Sequence, residues 1–347
     1  GAKASDDVWF DIAERVGSTE FTGYAANEGE GQVVALVKGG TEVQSAGAKD
    51  TVTVITNQTP FYGESGGQMG DAGVISSSNM RGEVTDTAKP LGRLHAHQVI
   101  IGTGEIKVGD FVTLKIDTQR RDTLRANHSA THLLHASLRD RLGEHVTQKG
   151  SMVAPDRLRF DFSHNQAVTP QEIAMIEADV NAQIRGNETV TTRLMTPDDA
   201  VAAGALALFG EKYGDVVRTI RFGNSIELCG GTHATSTGKV GLFKIISESS
   251  IAAGVRRIEA ISSVEIKSKA SGEILLLGEA KDEVNSLEGE KRCRFKLLIS
   301  CGCGEDTLSE EEAVETRELG RRLSIFRGDE MRLEKLSKDE TATEFRI

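Results

Sequence analysis

Two histidines four residues apart mark the stretch NHSATHLLHA, which covers residues 127–136. Residues at this spacing share one face of an α-helix, so His128 and His132 are expected to project side by side. Such a pair can hold a metal ion, although histidines packed in a core or lying on a surface are the more common explanation. The same spacing occurs in zinc proteases, where a glutamate follows the first histidine as general base. Ser129 stands in that position here, which excludes this class of enzyme.

A second pair with chelating spacing lies about a hundred residues downstream, in ELCGGTHATS. It consists of Cys229 and His233, and the two glycines between them let the backbone turn tightly enough for both side chains to reach one ion. A thiolate and three imidazoles form a borderline-soft donor set that suits Zn²⁺. Two such pairs are much less expected by accident than one. The sequence therefore predicts one zinc ion per chain, bound by His128, His132, Cys229 and His233.

Composition limits the classes of function. A chain of 347 residues has room for two or three domains. Its formal net charge of −11 argues against indiscriminate nucleic-acid binding, and no DNA partner is expected. No apolar run reaches the roughly 20 residues of a membrane span and the N-terminus lacks a secretory signal, so a cytoplasmic location without a membrane partner is expected. A local basic surface stays open, built from Arg120, Arg121, Arg125, Arg157, Arg159, Arg256 and Arg257.

The first region, residues 1–118, is predicted to be a β-rich domain. Short runs rich in Val, Ile and Thr, each closed by Gly, Asp or Asn, follow one another from about residue 17 onward. Short strands at this spacing favour a small antiparallel barrel. Between two of them lies the loop TPFYGESGGQMGDAG with Gly66 and Gly67, which matches neither a phosphate-binding loop nor a dinucleotide-binding turn. By its spacing alone, this loop is interpreted as a simple turn.

Helices enter in the second region, residues 119–262. Asn127 is the predicted N-cap of the helix that carries the two histidines, and Gly143 is its predicted stop. A capping box starts another helix after Thr169, and a further helix start follows at Thr196. Three strand-like runs come next. The sequence thus predicts an α+β fold, with a small antiparallel barrel-like domain followed by helices layered on an antiparallel sheet.

The last region, residues 263–347, is more highly charged than the rest of the chain. The segment EEEAVETRELGRRLSIF, residues 310–326, is interpreted as a surface helix. The region as a whole is predicted to be helical or partly disordered.

Several long motifs, taken in order, resemble a known family. NHSATHLLHASLRDRLGEHVTQKGSMVAPDRLRFDFSH, ALFGEKYGDVVR, ELCGGTHATSTGKVGLFKIISES and AAGVRRIEAIS resemble the editing domain of bacterial alanyl-tRNA synthetases. TPFYGESGGQMGD and STEFTGY resemble the β-rich segment that precedes this domain in those enzymes. The resemblance covers about residues 7–262. It also changes the interpretation of the glycine loop, which in that family lies beside the editing pocket.

The resemblance implies a set of site residues. The family's zinc ligands fall on the two pairs named above. Thr131 and Gln148 fall in the family's pocket and are the predicted catalytic residues. The Thr131 hydroxyl can hydrogen-bond the hydroxyl of a serine substrate, and the Gln148 amide can hold the substrate or the attacking water. Gly66, Gly67 and Arg257 are predicted to contact the substrate.

The activity implied by the resemblance is hydrolytic editing, which removes serine or glycine wrongly esterified to the alanine tRNA. The expected partner is therefore tRNA(Ala) mischarged with serine or glycine. Nothing in the chain matches the family's aminoacylation region, so no charging of tRNA with alanine is expected. The close match to synthetase segments upstream of the editing domain favours an excised synthetase fragment over a free-standing editing protein. A zinc-stabilised RNA-binding module without turnover is the alternative from another class. Release of free serine from mischarged tRNA would distinguish the two.

Overall fold

The computed structural model describes residues 2–206, 214–223, 225–263, 265–266, 275–281, 294–300, 334–339 and 342–346. The chain divides into two compact units. The first unit comprises Gly1–His128, Gly150–Asp156 and Cys229–His233, and the second comprises Ser129–Lys149, Arg157–Leu228 and Ala234–Ile347.

Short strands make up most of the described regular structure, together with a few helices. The helices are α1 (Ala2–Val16), α2 (Thr118–Leu142), α3 (Pro170–Arg185) and α4 (Pro197–Ala202). The strands up to α2 are β1 (Glu20–Phe21), β2 (Glu28–Lys38), β3 (Thr41–Val43), β4 (Ser45–Gly47), β5 (Thr51–Thr56), β6 (Gln58–Thr59), β7 (Gly73–Ser76), β8 (Arg81–Ala88), β9 (Ala96–Thr103), β10 (Glu105–Lys107) and β11 (Phe111–Ile116). The later strands are β12 (Gln148–Val153), β13 (Leu158–Ser163), β14 (Thr191–Met195), β15 (Val217–Phe222), β16 (Ser225–Leu228), β17 (Leu242–Ala252), β18 (Val255–Ser263), β19 (Glu265–Ile266), β20 (Leu275–Lys281), β21 (Arg294–Ser300), β22 (Glu334–Asp339) and β23 (Ala342–Arg346). None of the described helices is long and apolar enough to span a membrane.

A closed antiparallel barrel forms the centre of the first unit. Its six strands pair in the order β2, β5, β9, β8, β7 and β11, and β11 pairs again with β2 to close the ring. Strand β8 alternates in burial from Arg81 to Thr85, because successive side chains point to opposite faces, and an irregularity between Val84 and Asp86 then interrupts the alternation. The inward residues, which include Val54, Ile75, Val99 and Leu114, are fully buried and fill the barrel. The predicted barrel is confirmed.

Helix α1 covers the outside of the barrel and was not among the predicted elements. Ile12 and Ala13 are buried against Ala35, Ile55 and Leu94. The sequence places the region before residue 17 in the β-rich domain. Val8, Ile12 and Val16 recur every four residues, which is the helical signal that was available in the sequence.

Helix α2 is longer than the sequence predicted. It begins at Thr118, so Asn127 lies inside it and the prediction that Asn127 is its N-cap was wrong. The Asn127 side chain is buried, and its Nδ2 donates to the carbonyl oxygen of Ala154 at 2.8 Å, a tertiary contact that replaces the capping role. The predicted stop is correct, since Gly143 directly follows the helix with φ +117°, a backbone angle that favours glycine.

In the second unit, helices pack on an antiparallel sheet, as predicted. Strands β13, β18 and β17, which all lie in this unit, pair in that order. Helix α3 lies against β17, where Asn181 Nδ2 donates to the carbonyl oxygen of Phe243 at 2.9 Å. Strands β14, β15 and β16 form a second, smaller sheet, and they come before β17 and β18 in the chain. The α+β class is therefore confirmed.

Strands also make up the described parts of residues 263–347. β19, β20, β21, β23 and β22 pair in that order, and all their pairings are antiparallel. The sequence suggested helix or partial disorder for this region, because its high charge masks the short apolar runs LLLGEAK and RFKLLIS. The surface helix predicted over residues 310–326 lies outside the described residues.

Candidate metal centre

Helix α2 presents its histidines from a buried position. His128 and His132 lie one turn apart, and each is only 6% exposed. Apolar residues such as Ala130, Leu133 and Leu134 bury the surrounding faces of the helix. The pair is therefore held in place by packing and is largely shielded from bulk water.

The two predicted pairs meet. One ligand atom from each of His128, His132, Cys229 and His233 lies within 4.8 Å of every other. The sulfur of Cys229 is 3.5 Å from Nε2 of His128 and 3.2 Å from Nε2 of His233. In a tetrahedral site with zinc–sulfur and zinc–nitrogen distances near 2.3 and 2.05 Å, sulfur and nitrogen ligands lie about 3.5 Å apart. The three-imidazole, one-thiolate cluster has the donor atoms and the spacing that fit a single zinc ion.

A buried carboxylate stands behind His132. Glu227 Oε2 lies 2.8 Å from Nδ1 of His132, and its Oε1 lies 3.1 Å from Nδ1 of His135. Burial raises the pKa of Glu227, but the charges and hydrogen bonds of His132 and His135 outweigh that effect and hold it well below its usual value. With Nδ1 of His132 directed at a carboxylate, Nε2 is the nitrogen left for a metal, and such carboxylate–histidine pairs commonly orient zinc ligands. The sequence reading missed Glu227, although it lies only two residues before Cys229.

A buried amide stands behind His128. Gln68, which is fully buried, places Oε1 2.8 Å from Nδ1 of His128. The same oxygen accepts from the backbone N–H of Thr232 at 2.9 Å, and Nε2 of Gln68 donates to the Thr232 hydroxyl at 2.8 Å. Gln68 belongs to the glycine loop that spacing alone had marked as a simple turn. The structure instead sets this loop against a candidate metal ligand.

The two glycines between Cys229 and His233 have different surroundings. A Cβ added to Gly231 would lie 2.1 Å from Cε1 and 2.4 Å from Nδ1 of His128. A Cβ added to Gly230 would meet only the hydroxyl of Tyr24, at 4.0 Å. Close approach of the backbone to His128 therefore requires glycine at 231, whereas position 230 has room.

The loop glycines hold their positions through backbone geometry. Gly66 and Gly67 have φ angles of +58° and +83°, in the region that favours glycine. A Cβ on Gly67 would also lie 2.5 Å from the carbonyl oxygen of Ser151. Their predicted contact with substrate stays a prediction.

The remaining predicted site residues occupy three different elements. Thr131 lies on α2 between the two histidines and is 5% exposed. Gln148 is the half-buried first residue of β12. Arg257 on β18 is tied to Asp161 by two parallel bonds, Nε to Oδ1 at 2.7 Å and Nη2 to Oδ2 at 2.8 Å. Their roles toward substrate stay predictions.

The arginines expected to form a basic surface are largely paired with carboxylates. Arg121 is fully buried, donates from Nε to Asp71 at 2.9 Å, and donates from Nη1 to the carbonyl oxygen of Gly23 at 2.8 Å. Arg256 forms two bonds to Glu248, at 2.5 and 2.6 Å. The prediction that Arg121 belongs to this basic surface was therefore wrong, because its charge is buried and paired with Asp71. Sequence spacing could not reveal this, since Asp71 lies 50 residues away.

Comparison with known proteins gives matches to synthetases. Residues 2–120 match the family described as tRNA synthetases class II (A), and residues 217–259 match the threonyl and alanyl tRNA synthetase second additional domain. The chain is 65% identical over 269 residues to an alanine–tRNA ligase of Sphingopyxis alaskensis, covering 76% of this chain and 30% of that protein. It is 55% identical over 310 residues to the ligase of Rhizorhabdus wittichii (86% and 35%) and 45% identical over 354 residues to that of Rhizobium johnstonii (93% and 40%). The chain thus spans about a third of the length of the curated relatives that it matches.

Proposed function

Because this chain is homologous to bacterial alanyl-tRNA synthetases, we propose that it is their editing part, which hydrolyses serine or glycine from mischarged tRNA(Ala) at a zinc-containing site. The observation that carries the proposal is the buried cluster of three imidazoles and one thiolate. Cys229 and His233 of this cluster fall within the match to the second additional domain. The donor set favours zinc over harder ions such as Mg²⁺, which prefer oxygen ligands.

The chemistry of amino-acid selection explains why such a site is needed. A pocket that accepts alanine cannot strongly reject glycine, because one methyl group contributes only about 1–3 kcal/mol to discrimination. A pocket without a test for the hydroxyl rejects serine only weakly as well. A second, hydrolytic site removes the wrong esters after they form.

The residues of the chain divide the work at this site. His128, His132, Cys229 and His233 would hold the ion. A bound Zn²⁺ would supply a fixed positive charge at this cluster, and four protein ligands match the closed shell of structural zinc sites. We assign recognition of the serine hydroxyl to Thr131, and the holding of the ester or the attacking water to Gln148. Both assignments follow from the hydrogen-bonding capacity of a hydroxyl and an amide.

The test is release of free serine from tRNA(Ala) mischarged with serine, measured together with zinc content. The wild-type chain should release serine and contain near-stoichiometric zinc. Cys229→Ala should lose most of both, since one of four ligands is gone. His145→Ala is the control, because His145 is an exposed histidine outside the cluster. No serine release by the zinc-loaded wild type would contradict the editing proposal, and full zinc in Cys229→Ala would contradict the ligand assignment.

The role of Thr131 has its own test. Thr131→Val is nearly isosteric and removes one hydrogen bond, worth about 0.5–1.5 kcal/mol, so it should slow hydrolysis of the seryl ester about threefold to tenfold. The glycyl ester has no hydroxyl and should change much less. Thr131→Ser, which keeps the hydroxyl, is the control. Equal losses on both esters, at unchanged zinc content, would rule out the selective role.

A further inference from the structure

The side chain of Gln68 fixes which ring nitrogen of His128 carries a proton. The backbone N–H of Thr232 can only donate, and it lies 2.9 Å from one atom of the Gln68 amide, so that atom must be the oxygen. The same oxygen lies 2.8 Å from Nδ1 of His128, which therefore has to be the donor. A neutral imidazole carries one proton, so Nε2 of His128 is left with its lone pair. That is the nitrogen 3.5 Å from the sulfur of Cys229.

The amide itself has little freedom to turn over. A flipped Gln68 would set an N–H group against the backbone N–H of Thr232, so the bonds that its Oε1 accepts from Thr232 at 2.9 Å and from His128 at 2.8 Å would be lost. Gln68 is fully buried, so water cannot replace these bonds. The orientation of the amide is set by Thr232, and the amide in turn sets His128.

The backbone of the glycine loop holds Gln68 in register. Ser65 and Gln68 exchange backbone hydrogen bonds at 3.2 and 3.0 Å across a turn in which Gly66 and Gly67 take positive φ angles. On either side of Gln68, the carbonyl oxygen of Gly67 accepts from Val153 N at 2.7 Å, and Met69 N donates to Val153 O at 3.0 Å. These backbone hydrogen bonds on both sides of Gln68 fix the position of the loop at this residue.

We propose that Gln68 is a positioning residue for the metal: it presents Nε2 of His128 to the ion by holding the proton on Nδ1. The proposal rests on the proposed function only in that the cluster binds zinc. The proposal gives the glycine loop a function that the spacing of its glycines did not suggest. Gln68 orients the ring of His128 through Nδ1, as Glu227 orients the ring of His132, but with a neutral amide in place of a carboxylate.

The experiment compares zinc affinity, by competition with a chromophoric chelator, among variants of the full chain. Gln68→Met has a similar length but accepts no strong hydrogen bond, and it should weaken zinc binding about 10- to 100-fold. Gln68→Glu still accepts from His128 and from Thr232, so its affinity should equal or exceed that of the wild type. Gln44→Met makes the same substitution at an exposed position of the first unit and should change nothing.

A second readout follows the proton directly. In ¹⁵N-labelled, zinc-loaded protein, the imidazole of His128 should show a protected Nδ1–H in the wild type and in Gln68→Glu. This protection should be lost in Gln68→Met. If Gln68→Met does not fold, Gln68→Asn takes its place, because it keeps the amide but withdraws it by one methylene and should also weaken zinc binding.

The outcomes separate this proposal from the one before it. Wild-type protein that binds no zinc would overturn the metal centre itself. Wild-type protein that binds zinc tightly, with Gln68→Met and Gln68→Asn within twofold of it, would overturn only the role of Gln68. Weakened binding in Gln68→Glu, equal to that in Gln68→Met, would also overturn it, because the loss would then come from disturbed packing.

Discussion

Replacing Gly231 with alanine tests how closely the backbone must approach His128. The added Cβ would lie 2.1 Å from Cε1 of His128 and 2.9 Å from Oε1 of Gln68, in space that these two side chains now fill. Ordinary contact begins at 3.4 Å, so the ring or the backbone has to move by about 1.3 Å, the difference between 3.4 and 2.1 Å. Metal–ligand distances hold only within about 0.2 Å. His128 can therefore not remain a ligand in its present place.

The expected loss of zinc affinity follows from the contribution of one ligand to the binding free energy. Structural zinc sites bind with about 10–16 kcal/mol over four ligands, so one ligand accounts for about 2.5–4 kcal/mol, which is a weakening of roughly 100- to 1000-fold. Gly230→Ala is the matched control, because its Cβ would meet only Tyr24, at 4.0 Å. Neither glycine has a positive φ angle, so alanine strains the backbone at neither position.

Chelator competition gives the zinc affinity of both variants, and urea unfolding of the zinc-free proteins shows whether either is misfolded. Gly231→Ala should bind zinc far more weakly than the wild type, and Gly230→Ala should match it. Equal affinity for the two variants would refute the reasoning, since it rests on the difference between these neighbouring positions.

Four further expectations concern a buried ion pair, a buried histidine, the carboxylate behind His132, and charging. Asp71→Asn leaves the buried charge of Arg121 without its anion and should destabilise the fold by about 3–5 kcal/mol in urea unfolding, while an unchanged midpoint would contradict this. Burial lowers the pKa of His97 to about 4. Its neutral form therefore stabilises the fold fully above pH 6.5, and about 3 kcal/mol is lost as pH falls towards 4. His97→Gln should then show a shallower fall of the urea midpoint over that range, and an equally steep fall would speak against it. Glu227→Gln removes the anionic partner of His132 and should weaken zinc binding about 10- to 100-fold by chelator competition, and unchanged affinity would count against that role. The pure chain should show no alanine-dependent pyrophosphate exchange with ATP, and clear exchange would contradict this expectation.

Local signals in the sequence predicted those elements whose determinants are themselves local. The capping box of α3 is an example: the Thr169 hydroxyl accepts from Glu172 N at 3.2 Å, and Glu172 Oε2 accepts from Thr169 N at 2.8 Å. Both bonds join residues three apart, so their types and spacing suffice to predict them. The alternation of apolar residues along the barrel strands is local in the same sense.

Predictions failed where a distant partner decides the outcome. Asn127 has the side chain of a good N-cap, but Ala154 takes its hydrogen bond, and the helix continues through it. In the sequence, nothing distinguishes Arg121 from a surface arginine, but in the structure it forms a buried ion pair with Asp71. Neither contact leaves a mark in the residues beside Asn127 or Arg121.

The candidate metal centre shows both cases together. The four side chains of the cluster were predictable because each pair has chelating spacing within four residues. Their orienting partners were not, since Gln68 lies 60 residues from His128, and Glu227 lies 95 residues from His132. Spacing can suggest which side chains bind a metal, but only the fold shows which groups set their proton positions.

The charges around the cluster give a reason for the difference between the two orienting partners. Binding of Zn²⁺ adds two positive charges, which the thiolate of Cys229 and the carboxylate of Glu227 balance, while the three imidazoles bind as neutral groups. In the zinc-free protein no ion would offset a second buried carboxylate in addition to that of Glu227, and an uncompensated charge is costly in a protein interior. An amide orients His128 equally well without adding charge. We therefore expect Gln68→Glu to keep or strengthen zinc binding while it destabilises the zinc-free protein, and a lower urea midpoint of the zinc-free variant would verify this. Equal stability of the two zinc-free proteins would show that the neutrality of Gln68 has no such role.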